Sequence, residues 1–129
     1  MSAFILDASA LLAMLREEAG GDRVAEAIGE ARMSVVNFSE VVSYFVHNGM
    51  PPDQVDAMLK PLPIALIPAE AELSRIAGHL RASTAEAGLS LGDRFCLALA
   101  LMEKLPAWTA DRQWNAIADK VGVDVVVIR

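Results

Sequence analysis

Four acidic residues, Asp7, Glu40, Asp93 and Asp111, are candidates for a shared metal site, because each lies at the start of a predicted helix and three follow a short apolar strand. In a parallel sheet, the carboxyl ends of the strands lie at one edge, so acids that are distant in sequence meet there. Two charges about 4 Å apart repel by about 4 kcal/mol at an effective dielectric constant near 20, so clustered carboxylates need protons or a cation. Mg²⁺ and Mn²⁺ prefer oxygen ligands. The pattern predicts a divalent-metal site that activates water and neutralises a phosphodiester.

Helix capping is the alternative explanation for the same positions. Carboxylates at helix N-termini stabilise a helix as caps and through its dipole, each by about 0.5–2 kcal/mol. The spacings N-x-x-E from Asn37 and S-x-x-D from Ser90 resemble capping boxes. Asp7 and Asp111 also suit simple caps. Three of the acids have apolar flanks, however, and a cap on a solvated surface does not need them.

Two hydroxyl and two guanidinium side chains lie beside these acids. Ser9 and Thr109 are each two residues from an acid, where they could orient a carboxylate or a metal-bound water. Ser9 equally suits a first-turn cap, and Thr109 a strand position. Arg94 and Arg112 each follow an acid directly, where they could hold substrate phosphate or screen the acids. Solvation at the surface is the simpler interpretation of both arginines.

Strand and helix patterns alternate along the chain, which predicts a parallel sheet covered by helices on both faces. The predicted strands are residues 3–6, 34–36, 64–67, 107–109 and 124–128. The predicted helices are residues 9–18, 22–31, 38–47, 51–59, 69–87, 91–104 and 112–120. We find no repeat or linker in the sequence, so residues 1–129 are expected to form a single α/β domain.

Composition excludes several classes of protein. A net charge of −6 argues against a general nucleic-acid coat, which needs a basic surface. Although 54% of the residues are hydrophobic, no apolar run approaches the roughly 18 residues that span a bilayer, and we identify no signal peptide. Cys96 is the only cysteine, so we expect a core position for it and a cytoplasmic protein.

Two other classes of function compete with a metal-dependent hydrolase. A phosphotransfer domain also binds Mg²⁺ through acids at strand ends, but it needs paired acids after the first strand and a late lysine. Here Ala8 follows Asp7, and Thr109-Ala110-Asp111 contains no lysine; a D-x-D phosphatase fails because position 9 is serine. A non-catalytic protein-interaction module, in which every acid is a helix cap, remains open.

Four segments together resemble a PIN domain, and more closely a VapC-type toxin ribonuclease of a bacterial toxin–antitoxin pair. They are FILDASAL, NFSEVVSYF, LSLGDRFCLALA and TADRQW, in the family's order from end to end of the chain. The third is fairly specific, whereas residues 50–80 carry no signature. The resemblance implies a parallel sheet between helices, a site for Mg²⁺ or Mn²⁺ at its carboxyl edge, and cleavage of single-stranded or loop RNA.

The resemblance also assigns roles to residues. It implies that Asp7, Glu40, Asp93 and Asp111 form the acidic quartet that binds the metal. Asp7 and Asp93 would be direct ligands, while Glu40 and Asp111 would position the ion or its waters; Thr109 matches the threonine of the last motif. It further implies a homodimer and a cognate antitoxin whose C-terminal segment covers the catalytic groove. The apolar helices near residues 38–59 are candidate surfaces for such contacts.

Overall fold

The computed structural model describes residues 2–129, which form a five-stranded, entirely parallel sheet of order β3-β2-β1-β4-β5. The strands are β1 Phe4–Leu6, β2 Ala31–Ser34, β3 Ala65–Ile67, β4 Ala107–Thr109 and β5 Val125–Val127. The predicted α/β class and parallel sheet are therefore confirmed. Each strand connects to the next through helices, as a parallel sheet requires.

Helices cover both faces of the sheet. They are α1 Ala8–Leu15, α2 Gly21–Ala27, α3 Val35–His47, α4 Pro52–Leu59, α5 Ala71–His79, α6 Arg81–Thr84, α7 Leu91–Glu103 and α8 Ala118–Val121. Side chains alternate across a strand, so Phe4 and Leu6 pack with α1 to α4 while Ile5 packs with α5, α7 and α8. Among residues 2–129, no helix is both long and apolar enough to cross a membrane.

The predicted second strand, residues 34–36, is wrong by about three residues, and the predicted helix 22–31 ends too late. β2 begins at Ala31, where it pairs with Phe4 of β1. Ser34 is the N-cap of α3, and its hydroxyl accepts a hydrogen bond from the backbone N–H of Val36 at 3.2 Å. Val35 and Val36 are β-branched, which favours a strand, but the cap places them in the first turn of α3.

Two predicted long helices are also interrupted. The predicted helix 69–87 divides into α5, α6 and the 3₁₀ helix Ala85–Ala87. Ser83 and Thr84 donate side-chain hydrogen bonds to the carbonyl of Leu80, at 3.3 and 2.7 Å, and such bonds compete with the helical backbone pattern. The predicted helix 112–120 is the 3₁₀ helix Arg112–Ala116 followed by α8.

Candidate active site

Asp7 follows β1 directly, and its backbone N–H extends the β1–β4 pairing by donating to the carbonyl of Trp108 at 2.9 Å. Asp111 lies two residues beyond β4, the strand beside β1. Glu40 is on α3 and Asp93 is on α7, two helices that pack against each other. The topology therefore gathers the four predicted residues toward one end of the sheet.

Asp7 is held by two hydroxyls whose orientation the backbone fixes. Ser9 and Thr109 donate to Oδ2 of Asp7 at 2.6 and 2.9 Å. Each hydroxyl also accepts a backbone hydrogen bond, Ser9 from Ala110 at 2.9 Å and Thr109 from Asp111 at 3.1 Å. The two hydroxyls are also 3.1 Å apart, but an ionised carboxylate can only accept hydrogen bonds, so both hydroxyl protons are directed to Asp7. Among residues 2–129, none donates to the other oxygen, Oδ1, which leaves it free to bind an ion.

The environment of Asp7 disfavours its charged form. The residue is only 3% exposed. Burial is the main reason that the pKa of Asp7 is raised to about 7. The hydrogen bonds from Ser9 and Thr109 lower this pKa, whereas the charges of Asp93 and Glu40 raise it further. Asp7 occupies the N-cap position of α1, yet its side chain makes no capping hydrogen bond. The capping interpretation is therefore wrong for Asp7, and a nearby cation would favour its charged form.

Glu40 lies against the start of α7. Its Oε1 accepts a hydrogen bond from Nδ2 of Asn37 at 2.9 Å. Its carboxylate packs so closely on Gly92 that a Cβ atom there would overlap it. Burial raises the pKa of Glu40, the Asn37 hydrogen bond lowers it, and repulsion from Asp93 raises it. Because α3 begins at Val35, Glu40 lies in its second turn, and the predicted capping box at Asn37 is wrong.

Asp93 combines a structural with an electrostatic role. The predicted capping box at Ser90 is confirmed: the Ser90 hydroxyl accepts from the N–H of Asp93 at 3.1 Å, and Asp93 Oδ2 accepts from the N–H of Ser90 at 2.9 Å. The same carboxylate raises the pKa values of Asp7, of Glu40 and of Cys96, whose thiol pKa is raised first by burial. We call Asp7, Glu40 and Asp93 the acid cluster.

Asp111 lies at the margin of the acid cluster. Its Oδ1 accepts a hydrogen bond from the N–H of Gln113 at 2.9 Å, which caps the 3₁₀ helix Arg112–Ala116. It is half-buried, and it is not among the charges that raise the pKa of Asp7 or Glu40. The link from Asp111 to the cluster is its backbone N–H, which supports Thr109. Three of the four predicted acids therefore interact, and Asp111 caps the neighbouring 3₁₀ helix; its role in positioning the ion stays a prediction.

The two arginines differ. Arg94 is 7% exposed, and its Nη1 donates to the carbonyl of Leu89 at 2.9 Å, which stabilises the turn before α7. Surface solvation, the simpler interpretation of Arg94, is therefore wrong, whereas its predicted role in positioning substrate stays a prediction. Arg112 is exposed, with a long hydrogen bond of 3.4 Å from Nε to the carbonyl of Arg129. Its position is consistent with surface solvation.

The acid cluster suits a divalent cation in charge and in donor chemistry. The ion pairs within residues 2–129 involve only Glu18 and Glu103 as acids, so no Lys, Arg or His neutralises the cluster. No three Asp, Glu, His or Cys side chains in this described range are already at metal-ligand spacing. Carboxylates that bind partly through water, as Mg²⁺ allows, do not need that spacing. The residues therefore fit a hydrated ion better than a fully coordinated one.

Sequence reasoning paired Asn37 with Glu40 only as a capping box, so it missed the hydrogen bond between their side chains, and it also missed an adjoining groove. The groove has a volume of about 700 Å³ and follows one side of α3 to Glu40. It is lined by Val35, Val36, Ser39, Glu40, Ser43, Tyr44 and His47. These residues recur at helical spacing, which was the available signal, but their exposure depends on which elements pack against α3.

Comparison with known proteins agrees with this architecture. The PIN domain family model matches residues 4–120. A toxin–antitoxin complex from Klebsiella pneumoniae superposes with a TM-score of 0.74 at 18% identity, covering 98% of both chains. DNA-bound VapBC from Salmonella typhimurium gives 0.73 at 16% identity, again covering 98% of both.

A third similar structure is Mycobacterium tuberculosis VapC20, described as a toxin that cleaves the sarcin-ricin loop. It superposes with a TM-score of 0.72 at 15% identity, covering 88% of this chain and 94% of the other. No curated protein sequence matches the chain significantly. At these identities the structures show a shared fold, whereas the family model spans most of the sequence. The chain therefore belongs to the PIN domain family.

Proposed function

We propose that this protein is an Mg²⁺- or Mn²⁺-dependent endoribonuclease and the toxin of a toxin–antitoxin pair, acting in the cytoplasm. The observation that carries the proposal is the acid cluster, in which two hydroxyls orient Asp7 and to which no Lys, Arg or His of residues 2–129 is ion-paired. Membership of the PIN family supports a nuclease. The similar toxin that cleaves the sarcin-ricin loop supports RNA as the substrate.

Each residue of the acid cluster would have a separate role in the reaction. A bound divalent ion supplies charge neutralisation at phosphate and lowers the pKa of water. Asp7 offers Oδ1 to the ion because Ser9 and Thr109 occupy Oδ2. Asp93 contributes the second carboxylate. Glu40, whose pKa is raised, is suited to accept a proton from the attacking water. In-line attack with a leaving 3′ oxygen gives a 5′-phosphate and a 3′-hydroxyl.

Partner proteins belong to the same proposal. Several similar structures are complexes of a toxin with its antitoxin. The groove along α3 reaches Glu40, so an antitoxin segment in it would cover the site. Val35 and Val46 on α3 are 37% and 40% exposed, and a homodimer would remove such apolar surface from water. A clean monomer at micromolar concentration in analytical ultracentrifugation would count against the dimer.

Cleavage of tRNA, rRNA and mRNA with Mn²⁺ and with EDTA tests the activity. We expect products with 5′-phosphate ends only when the ion is present, and undiminished cleavage in EDTA would reject the mechanism. Asp93→Asn should abolish cleavage and leave the fold intact. Asp53→Asn is a matched control, because Asp53 is an exposed acid in the first turn of α4.

A non-catalytic interaction module is the second candidate, and the caps formed by Asp93 and Asp111 favour it. A phosphotransfer domain gains no support from the site geometry. Thermal unfolding with and without millimolar Mg²⁺ separates the nuclease from the module. We expect Mg²⁺ to raise the melting temperature of the nuclease, because binding to the folded state alone stabilises it. No shift would favour the module.

A further inference from the structure

We propose that Asn37 is a positioning residue that holds the Glu40 carboxylate beside Asp93 and so sets the affinity of the site for its divalent ion. This inference rests on the proposed metal-dependent function. Asn37 is on α3, one turn before Glu40, and is fully buried at 0% exposure. Residues three apart on a helix lie on the same face, so the amide can reach the carboxylate within its own helix.

Both protons of the Asn37 amide are used on the two elements that form the site. Nδ2 donates to Oε1 of Glu40 at 2.9 Å and to the backbone carbonyl of Gly92 at 2.9 Å. Both partners are acceptors, so a flipped amide would place oxygen against oxygen, and the donor assignment is unambiguous. Gly92 immediately precedes Asp93, so one side chain fixes α3, α7 and two acids relative to each other.

The contact opposes a force that would otherwise separate the two carboxylates. Asp93 and Glu40 repel each other, and the amide donor offsets part of that repulsion. Gly92 provides the space, since a Cβ atom there would overlap the Glu40 carboxylate. Asn37 and Gly92 together form the binding position of the Glu40 carboxylate. Asn37 donates the hydrogen bond, and Gly92 leaves room for the carboxylate because it has no side chain.

Stability alone explains this amide poorly. Oδ1 of Asn37 is buried and accepts no hydrogen bond within residues 2–129. A buried acceptor without a donor destabilises a fold. An apolar residue would remove that buried acceptor but would leave the Glu40 carboxylate without its donor, so the donor side of the amide accounts for an asparagine here.

Direct Mn²⁺ binding by calorimetry tests the inference without using catalysis. We expect Asn37→Ala to weaken binding about 10- to 100-fold, the range for residues that orient metal ligands. Asn48→Ala is the matched control, an exposed asparagine at the end of the same helix; we expect wild-type affinity. Affinity of Asn37→Ala equal to wild type would overturn the proposal.

A double-mutant cycle separates positioning from general structure. If Asn37 acts through Glu40, adding Asn37→Ala to Glu40→Ala should weaken Mn²⁺ binding no further. An equal loss in both backgrounds would overturn the proposal. Gly92→Ala is a second variant for the case that Asn37→Ala does not fold, because alanine favours the helix yet displaces Glu40. We expect Gly92→Ala to lose Mn²⁺ affinity to the same extent as Asn37→Ala. Unchanged affinity would contradict the claim that the two residues hold the Glu40 carboxylate together.

Crystal structures of metal-free wild type, Asn37→Ala and Gly92→Ala distinguish failure of this inference from failure of the proposed function. If the wild-type protein binds no Mn²⁺, the metal-dependent function is rejected. The position of the Glu40 carboxylate in the three crystal structures still tests whether Asn37 holds it. We expect the Glu40 carboxylate to leave Gly92 in Asn37→Ala. A carboxylate that stays in place would overturn the positioning role, whatever the metal result.

Discussion

Asp7 and Asp111 follow neighbouring strands of one sheet, yet the protein treats them differently. Asp7 is 3% exposed, makes no capping hydrogen bond and receives two hydroxyl donors, one of them from a strand about one hundred residues away in sequence. Asp111 is half-buried and satisfied locally by the N–H of Gln113. Tertiary contacts hold Asp7, whereas Asp111 makes an ordinary cap.

The contrast shows how to separate functional from structural acids at helix starts. A capping carboxylate lowers the free energy of its own helix. Asp7 does not, and its burial among other acids works against folding unless a cation or a proton is present. Carboxylates whose surroundings disfavour charge are therefore the stronger candidates for metal binding.

The largest expected effect is on catalysis. Asp7→Asn should lower kcat for RNA cleavage in Mn²⁺ by at least about 10²-fold, the scale for losing a group that stabilises transition-state charge. Asp111→Asn should leave kcat close to wild type, because Asp111 caps a 3₁₀ helix and reaches the acid cluster only through its backbone N–H. Single-turnover cleavage assays measure both. Equal losses would break the distinction between the two acids.

The stability of the protein should depend on pH through Asp7. The folded-state pKa of Asp7 is about 7 and its usual value is 3.8. The unfolded chain therefore releases its proton first, and stability falls as pH rises from about 4 to about 7. At 1.36 kcal/mol per pKa unit, the free energy of unfolding is lower above pH 7 than below pH 4 by on the order of 4 kcal/mol.

Urea unfolding of wild type and Asp7→Asn in EDTA measures this loss. Relative to wild type, Asp7→Asn should become progressively more stable between about pH 4 and pH 7, with no further gain above pH 7. Millimolar Mg²⁺ should reduce the gain, because it compensates the charge of Asp7. A difference between wild type and Asp7→Asn that stays constant with pH would contradict the assigned environment.

Features that depend on local contacts were predictable from the sequence, whereas features that depend on tertiary contacts were not. Alternating patterns predict the parallel sheet, and local spacing predicts the Ser90–Asp93 capping box, because both depend on neighbouring residues. The pattern N-x-x-E at Asn37 predicts a cap only if α3 begins at residue 38, whereas the helix begins at Val35. Whether Ser34 or Asn37 begins that helix depends on the pairing of β2 with β1, which is not a local property.

Arg94 shows the same limit at a charged residue. A charged side chain beside Asp93 suggests a solvated surface, since arginines are almost never fully buried. Here the guanidinium is turned toward the carbonyl of Leu89. Only the packing of the segment before α7 determines that direction. The metal, the RNA target and the partners remain predictions, because they depend on contacts outside this chain.

An intermediate effect is expected at the hydroxyls that orient Asp7. Thr109→Val keeps the shape but removes one of the two donors to Oδ2, so Mn²⁺ affinity should fall about 10- to 100-fold. Thr109→Ser keeps the donor and should retain most of the affinity. Calorimetric titration compares the three proteins. If serine were no better than valine, the methyl packing of Thr109 would matter more than its hydroxyl.

The smallest effect concerns Asp111 as a cap. Asparagine caps helices about as well as aspartate, whereas alanine does not, so Asp111→Ala should destabilise the metal-free protein by about 1 kcal/mol and Asp111→Asn by much less. Urea unfolding in EDTA measures both. Asn therefore separates the two roles: it keeps the hydrogen bond to Gln113 and removes the charge. Loss of cleavage in Asp111→Asn at wild-type stability would assign the charge of Asp111 to the active site, whereas full activity would leave Asp111 as a cap and reduce the catalytic acids to the acid cluster.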